Sequence, residues 1–302
     1  MQPRPFYLRL FWTLRDYAKR VWDNAGEDNI FFLAGGIAFN ILLAAVPFVL
    51  LLVWGLATLL NHSADETVAD VTAIIDRLLP PHDETAESPV HGLLIDIISA
   101  RGAIGIYGAI GFIWFSTRLF GSLRSVLADV FDIETDRGII RGKIFDVQIT
   151  IIATLLLVAY TALSAYLALA TTRGVELVAR LGLRADVMGG LQYLIGRLIA
   201  FAFVATMFFA LYKFLPNRKI RWQTAMLAAV FTSAMFEIAK ALFTAYVAEF
   251  NPGSVYTGTL YALVIVVFWV YYAAMIFILG GEVGQVYELR RVKRQQRETF
   301  ED

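Results

Sequence analysis

Two ionisable residues stand where lipid would surround them. Glu237 and Lys240 lie three positions apart in a long apolar stretch, and so on one face of a helix. Charged groups at such depth face a bundle interior or a wet cavity and pair with one another. The two can bind a polar substrate group or couple an ion, or they can form a structural pair that satisfies only itself. Arg197, in another apolar block, can attract a phosphate or carboxylate; snorkelling to the interface is the preferred reading. Glu282 ends the last apolar block beside Gly280, Gly281 and Gly284. It is placed to pair with a basic group of the 213–221 segment or to serve proton or ion coupling. Asn40 can hydrogen-bond across helices.

Other chemistries have less support. The chain has no cysteine, which excludes disulfides, thiolate metal sites and a cysteine nucleophile. His62, His82 and His91 share one polar segment at spacings unlike a helical metal motif, so no metal is expected. The carboxylates Asp129, Asp132, Glu134 and Asp136 could hold Mg²⁺ for phosphodiester cleavage, but a solvated helix end explains them more simply. Gly102, Gly105, Gly108 and Gly111 lack the preceding strand that a phosphate loop needs. With Gly35, Gly36, Gly280, Gly281 and Gly284 they read as helix-packing glycines, and a broken helix at a transport site is the alternative for the 102–111 series. No cofactor is implied. Phe268, Trp269, Tyr271 and Tyr272 lie mid-span, where they pack a core or line a groove for acyl chains.

The elements that must position these residues follow from hydropathy. Hydrophobic residues make up 58% of the 302 residues and charged ones 17%, an apolar share beyond that of a soluble domain. Apolar blocks run over 30–60, 102–117, 147–171, 190–213, 223–247 and 256–281 and are read as six membrane crossings, the 102–117 block being short at roughly 24 Å of helix. The fold class is therefore all-α: a polytopic membrane protein of six transmembrane helices with interfacial amphipathic helices. Residues 1–29 form an N-terminal interfacial helix, with Tyr7, Leu10, Leu14, Tyr17 and Val21 on one stripe. No cleavable secretory signal is read there, so the first span serves as the insertion signal. The membrane domain is 30–284 and includes an acidic outer loop at 61–101; a basic tail follows at 285–302. Pro47 predicts a kinked or tilted first span. The second span is the least regular, and its stripe Leu119, Leu123, Val126, Leu127 and Val130 predicts a helix that continues along the cytoplasmic surface.

Orientation follows from the basic residues. With the N-terminus inside, 19 of the 26 Lys and Arg fall in cytoplasmic segments, five in outer loops and two, Arg197 and Lys240, within spans. Both termini are thus expected in the cytoplasm. A net charge of zero conceals a basic inner face, which predicts anionic membrane lipids as partners. Homo-oligomers or envelope proteins are further possible partners; nucleic acid is not expected.

AGGIAFN at the first span, LPNRKIRW between the fourth and fifth, and the closing YTGTLYALVIVVFWVYYAAMIFILGGEVGQVYE together resemble the YihY/BrkB family of bacterial inner-membrane proteins. The likeness covers about residues 30–288. Tyr256, Phe268, Trp269, Tyr271, Gly280 and Glu282 carry its aromatic-then-G-x-E arrangement. Members were once labelled ribonuclease BN, and others are linked with serum resistance or lipid-A precursor movement. The resemblance implies envelope-related transport in the inner membrane and carries over no catalytic residue.

Three functions follow. The leading expectation is transport of an amphipathic envelope molecule, a lipid or lipid-linked glycan, by a protein that is not an enzyme. The second is a non-transporting scaffold for envelope machinery. Ribonuclease activity is disfavoured, because the histidines fall on the outer side. No ATP-binding loop is present, so active transport would draw on an ion gradient, a partner ATPase or a substrate gradient.

Overall fold

A computed structural model describes residues 6–59, 101–134, 138, 140–155, 185–250 and 259–301. Every regular element among them is helical: α1 Phe6–Glu27, α2 Ile30–Leu59, α3 Arg101–Val130, α4 over residues 140–155, α5 Ala185–Phe214, α6 Trp222–Phe250 and α7 Thr259–Glu301. Among the described residues three helices are long and apolar enough to cross a membrane, over Ile30–Phe48, Trp222–Tyr246 and Val264–Gln296, and α5 adds the shorter apolar stretch Leu198–Phe214.

The surface is inverted relative to a soluble bundle. Phe32, Phe39, Tyr107, Ile110, Trp114 and Leu242 point outward, whereas Ala34, Ala225, Ala228, Ala229, Thr224 and Thr232 are buried. Lipid supplies no hydrophobic drive between helices, so small and hydroxylated residues form the contacts and large apolar ones meet the chains. This is an integral membrane protein.

The best-packed layer lies at one end of the bundle. It joins Ile30, Ala34 and Ile37 at the start of α2, Leu123 to Phe131 at the end of α3, Tyr212 and Leu215 at the end of α5, Ala225 to Ala229 at the start of α6, and Ala274 to Ile278 in α7. Starts and ends of successive elements meet there because the chain runs back and forth. The basic segments consequently gather at this end. α2 packs most extensively on α3, and α6 sits between α5 and α7.

Several details sharpen or correct the sequence reading. α3 is one unbroken helix of 30 residues; the stripe Leu123, Val126, Leu127 and Val130 in its second half is buried, while Ser125 and Asp129 between them are exposed. α2 continues through Pro47, which packs against Gly111 of α3. The basic tail continues the last helix: α7 has 43 residues, about 64 Å at 1.5 Å per residue, and carries Arg290 to Arg297. The acidic loop and its three histidines fall outside the described residues.

Two non-glycine residues adopt left-handed backbone, Asn29 (φ 51°) and Asp132 (φ 50°). Each closes a helix. At the end of α3 the Ile133 amide donates to the Ala128 carbonyl at 2.8 Å and the Asp132 amide to Asp129 at 3.1 Å, a Schellman termination with Asp132 in the position that asparagine or glycine usually takes. Asn29 turns the chain from α1 into α2, its carbonyl accepting from Phe32 and Leu33.

Candidate functional site

On α6, Glu237 Oε1 and Lys240 Nζ are 2.6 Å apart, with side chains 28% and 36% exposed. The i,i+3 spacing brings them together on one helix, and the ammonium also lies 5.8 Å from the Phe236 ring centre. Neither end is enclosed. A polar pair left open on an apolar helix can exchange its partner for a ligand's phosphate or amine.

Glu282 is a different kind of group. Its side chain is fully buried in α7 and neither carboxylate oxygen has a hydrogen-bond partner. The expected pairing with the 213–221 segment is not made: Arg218 reaches Glu288 instead, at 2.6 Å, one and a half turns further along. Asp28, Asn24 and Asp132 face Glu282. Gln285 ties the elements around it, accepting from Asn24 Nδ2 at 2.9 Å and donating through Nε2 to Asp132 Oδ2 at 2.7 Å. Tyr17 closes the same corner by donating to the Val283 carbonyl. Burial pushes the Tyr17 phenol up to about 12, against the opposing pull of the Arg290 guanidinium 5.0 Å over its ring. Asp129, a turn before Asp132, is raised above the usual carboxylate range by burial and then by the negative charge of Asp28. Four carboxyl groups from α1, α3 and α7 thus converge on one corner. Among the described residues no cluster of three or more acidic or histidine groups could hold a metal ion.

The glycines divide by location. A Cβ on Gly280 would overlap the Thr232 hydroxyl and lie 2.6 Å from that of Tyr212; on Gly281 it would meet Val130 at 3.0 Å, and on Gly284 Ala228 at 3.2 Å. These three let α7 approach α3, α5 and α6. Gly108 and Gly111 would meet Leu50 and Pro47 at 3.4 Å, an ordinary contact. At Gly35 and Gly36 nothing among the described residues lies within 4 Å of an added Cβ. The surroundings of Gly102 and Gly105 lie outside the described side chains.

Asn40 also departs from expectation. Among the described residues it donates to the Gly36 carbonyl of its own helix at 2.9 Å, and no bond to another helix is seen there. Arg197 lies on α5, but its side chain is outside the described set. Trp269 is buried against Phe236 and Phe243, while Phe268 and Tyr272 are exposed. The mid-span aromatics therefore split between core and lipid-facing surface, and Tyr271 donates to the Phe31 carbonyl at 3.3 Å.

Asp146 was not legible in the sequence. It is 1% exposed in α4 and pairs with Arg124 of α3 at 3.3 Å. Its signal was available only as a single acid near the start of an apolar block. The partner lies 22 residues away on another helix, too far for helical spacing to connect them.

Outside comparison places these features in one family. A sequence profile described as "Virulence factor BrkB" matches residues 21–301. The chain belongs to the BrkB family. That match spans α2 through α7 and includes Glu237, Lys240, Glu282 and Asp146, so both polar sites lie within the family region. Among similar proteins, a UPF0761 membrane protein of Ralstonia nicotianae is 26% identical over 288 residues, covering 95% of this chain and 62% of the relative. One of Chlorobium chlorochromatii is 26% identical, covering 86% and 56%. A third, of Alteromonas mediterranea, is 24% identical over 303 residues and covers 98% and 97%. The BrkB-family chain thus spans about six-tenths of the first two relatives and nearly all of the third. No solved structure matches.

Proposed function

We propose that this BrkB-family protein is a six-crossing protein of the bacterial inner membrane, with both termini cytoplasmic. It moves an amphipathic envelope molecule, a lipid or lipid-linked glycan, and performs no catalysis. The Glu237–Lys240 pair carries the reading. An ion pair in an apolar helix is costly when it meets hydrocarbon, and these side chains are left 28% and 36% open. A polar path beside α6 removes that cost and accepts a headgroup, while exposed Phe268 and Tyr272 offer acyl chains a surface on neighbouring α7. The basic residues at the packed end support cytoplasmic termini and attraction to anionic inner-leaflet lipids.

The test is transbilayer movement of a fluorescent anionic lipid in proteoliposomes. Wild-type protein is expected to accelerate movement, and Glu237→Gln and Lys240→Met to reduce it by an order of magnitude while remaining folded. No movement by wild type, with both variants behaving normally in cells, overturns the reading. Deleting residues 65–95 distinguishes a scaffold: complete loss of cellular function without loss of lipid movement would place the role in the outer loop.

A further inference from the structure

Glu282 is the one fully buried carboxylate among the described residues whose two oxygens both lack a partner. Among those residues no lysine or arginine pairs with it, and the nearby cations are engaged elsewhere: Arg218 with Glu288 and Arg290 over Tyr17. The groups that face it can be named element by element. From α1 and the turn after it come Asn24 and Asp28; from the end of α3 comes Asp132, with Asp129 behind it facing Asp28. α5 and α6 present Tyr212 and Thr224 to the flanking Gly281 and Gly284, and α2 presents Ile30 and Ala34 to the same packed layer. Every charged group in that set is an acid.

A carboxylate enclosed with no cation beside it, with the Asn24 amide as its only facing donor and other carboxylates around it, is unstable as an anion. Two ligands can neutralise it: a proton or a metal ion. The described residues offer no metal-holding cluster, whereas an approach of two carboxyls needs only one proton between them. Exposure also falls in steps along the cluster, from exposed Asp132 through half-buried Asp28 to fully buried Glu282.

We propose that Glu282 is a proton-binding site, reached from the aqueous side through Asp28 and Asp132. In the packed state its carboxyl carries the proton. Release breaks the O–H bond, passes the proton to water as hydronium and leaves the carboxylate, which requires α7 to part from α1 or α3 so that water enters. The tight seat of α7, set by Gly280, Gly281 and Gly284, closes the site between releases. Whether the protein carries a lipid does not bear on this proposal, since it concerns the acid itself.

Infrared difference spectra of full-length protein in lipid nanodiscs, with no added substrate, test it. Wild type minus Glu282→Gln at neutral pH is expected to show the carbonyl stretch of a protonated carboxylic acid, shifted in D₂O. Loss of ionised-carboxylate bands in place of the acid band overturns the proposal. Unfolding midpoints provide a second reading that does not need the variant spectra. The unfolded chain releases the proton in the ordinary carboxylate range and the packed state keeps it. Wild-type stability should therefore fall as pH rises from mildly acidic to neutral. Asp129 contributes to that slope, and Glu282→Gln, an isostere of the neutral acid, should flatten it relative to wild type. An unchanged slope in Glu282→Gln, or stabilisation of wild type by Mg²⁺ or Ca²⁺ that Glu282→Gln abolishes, would sink the idea.

Discussion

Tyr212 of α5 grips Phe277 of α7 twice. Its hydroxyl donates to the Phe277 carbonyl at 2.6 Å, and its ring stacks on the Phe277 ring at 5.0 Å between centroids and 8° between planes. Thr232 of α6 joins them at 2.7 Å from the same hydroxyl and also approaches the Ala228 carbonyl at 2.8 Å. Two hydroxyl hydrogens serve three contacts. With the tyrosine hydrogen committed to Phe277, the threonine hydrogen is left to divide between Tyr212 and Ala228. Three helices meet at this point, immediately beside Gly280.

Removing the hydroxyl while keeping the ring isolates the polar part of that junction. Tyr212→Phe leaves the stacking intact and removes the second hydrogen bond to the Phe277 carbonyl, which keeps its own helical partner, so a loss of about 0.5–1.5 kcal/mol is expected. Thermal unfolding of the purified protein in nanodiscs measures it. A variant as stable as wild type would show that the hydrogen bond adds nothing net.

The glycines should separate by position. Gly280→Ala forces a methyl into Thr232 and Tyr212, an overpacking cost of about 1–3 kcal/mol or more. Gly35→Ala and Gly36→Ala meet open space and gain roughly 0.5–1 kcal/mol from helix propensity. Unfolding midpoints of the three variants should therefore fall, rise and rise. A matching drop at positions 35 and 36 would mean that these glycines serve a contact outside the described residues.

Arg124 and Asp146 should be coupled. Asp146→Asn leaves the guanidinium without its charge partner, and removing one member of a buried pair costs about 3–5 kcal/mol. Arg124 is 16% exposed, so the lower end of that range applies. A double-mutant cycle with Arg124→Met is the measurement, and additive losses would deny the coupling.

Alkaline pH should loosen the α1–α7 corner through Tyr17. Its phenol is raised from 10.0 to about 12 by burial, so the folded state favours the neutral form. That contribution is complete below the unfolded value of 10.0 and is lost as pH rises toward about 12. Tyr17→Phe removes this alkaline slope at the expense of the Val283 hydrogen bond. Unfolding followed from neutral pH up to about 12 checks it, and an identical alkaline slope in the variant contradicts the assignment.

Much of this protein is determined by sequence alone. Apolar blocks fix where helices run because backbone groups in hydrocarbon must be satisfied within their own segment, and the α2, α5 and α6 bounds fall close to those read from hydropathy. The Glu237–Lys240 pair was legible for the same reason, since helical geometry alone sets the distance between positions three apart. Family membership was legible in the motif of the last helix.

Tertiary structure decided everything that depends on which faces meet. Gly35 and Gly280 are both glycines in apolar helices, and only packing separates the open site from the crowded one. Asn40 could reach across or along its helix, and it bonds to Gly36 because the local carbonyl lies within its own turn. Asp146 and Arg124 stand on different helices 22 residues apart, a separation that no periodicity connects. Glu282 is the clearest case. One glutamate beside three glycines reads as a helix end, and only the convergence of α1, α3 and α7 encloses it, turns acids toward it and leaves both its oxygens without a partner.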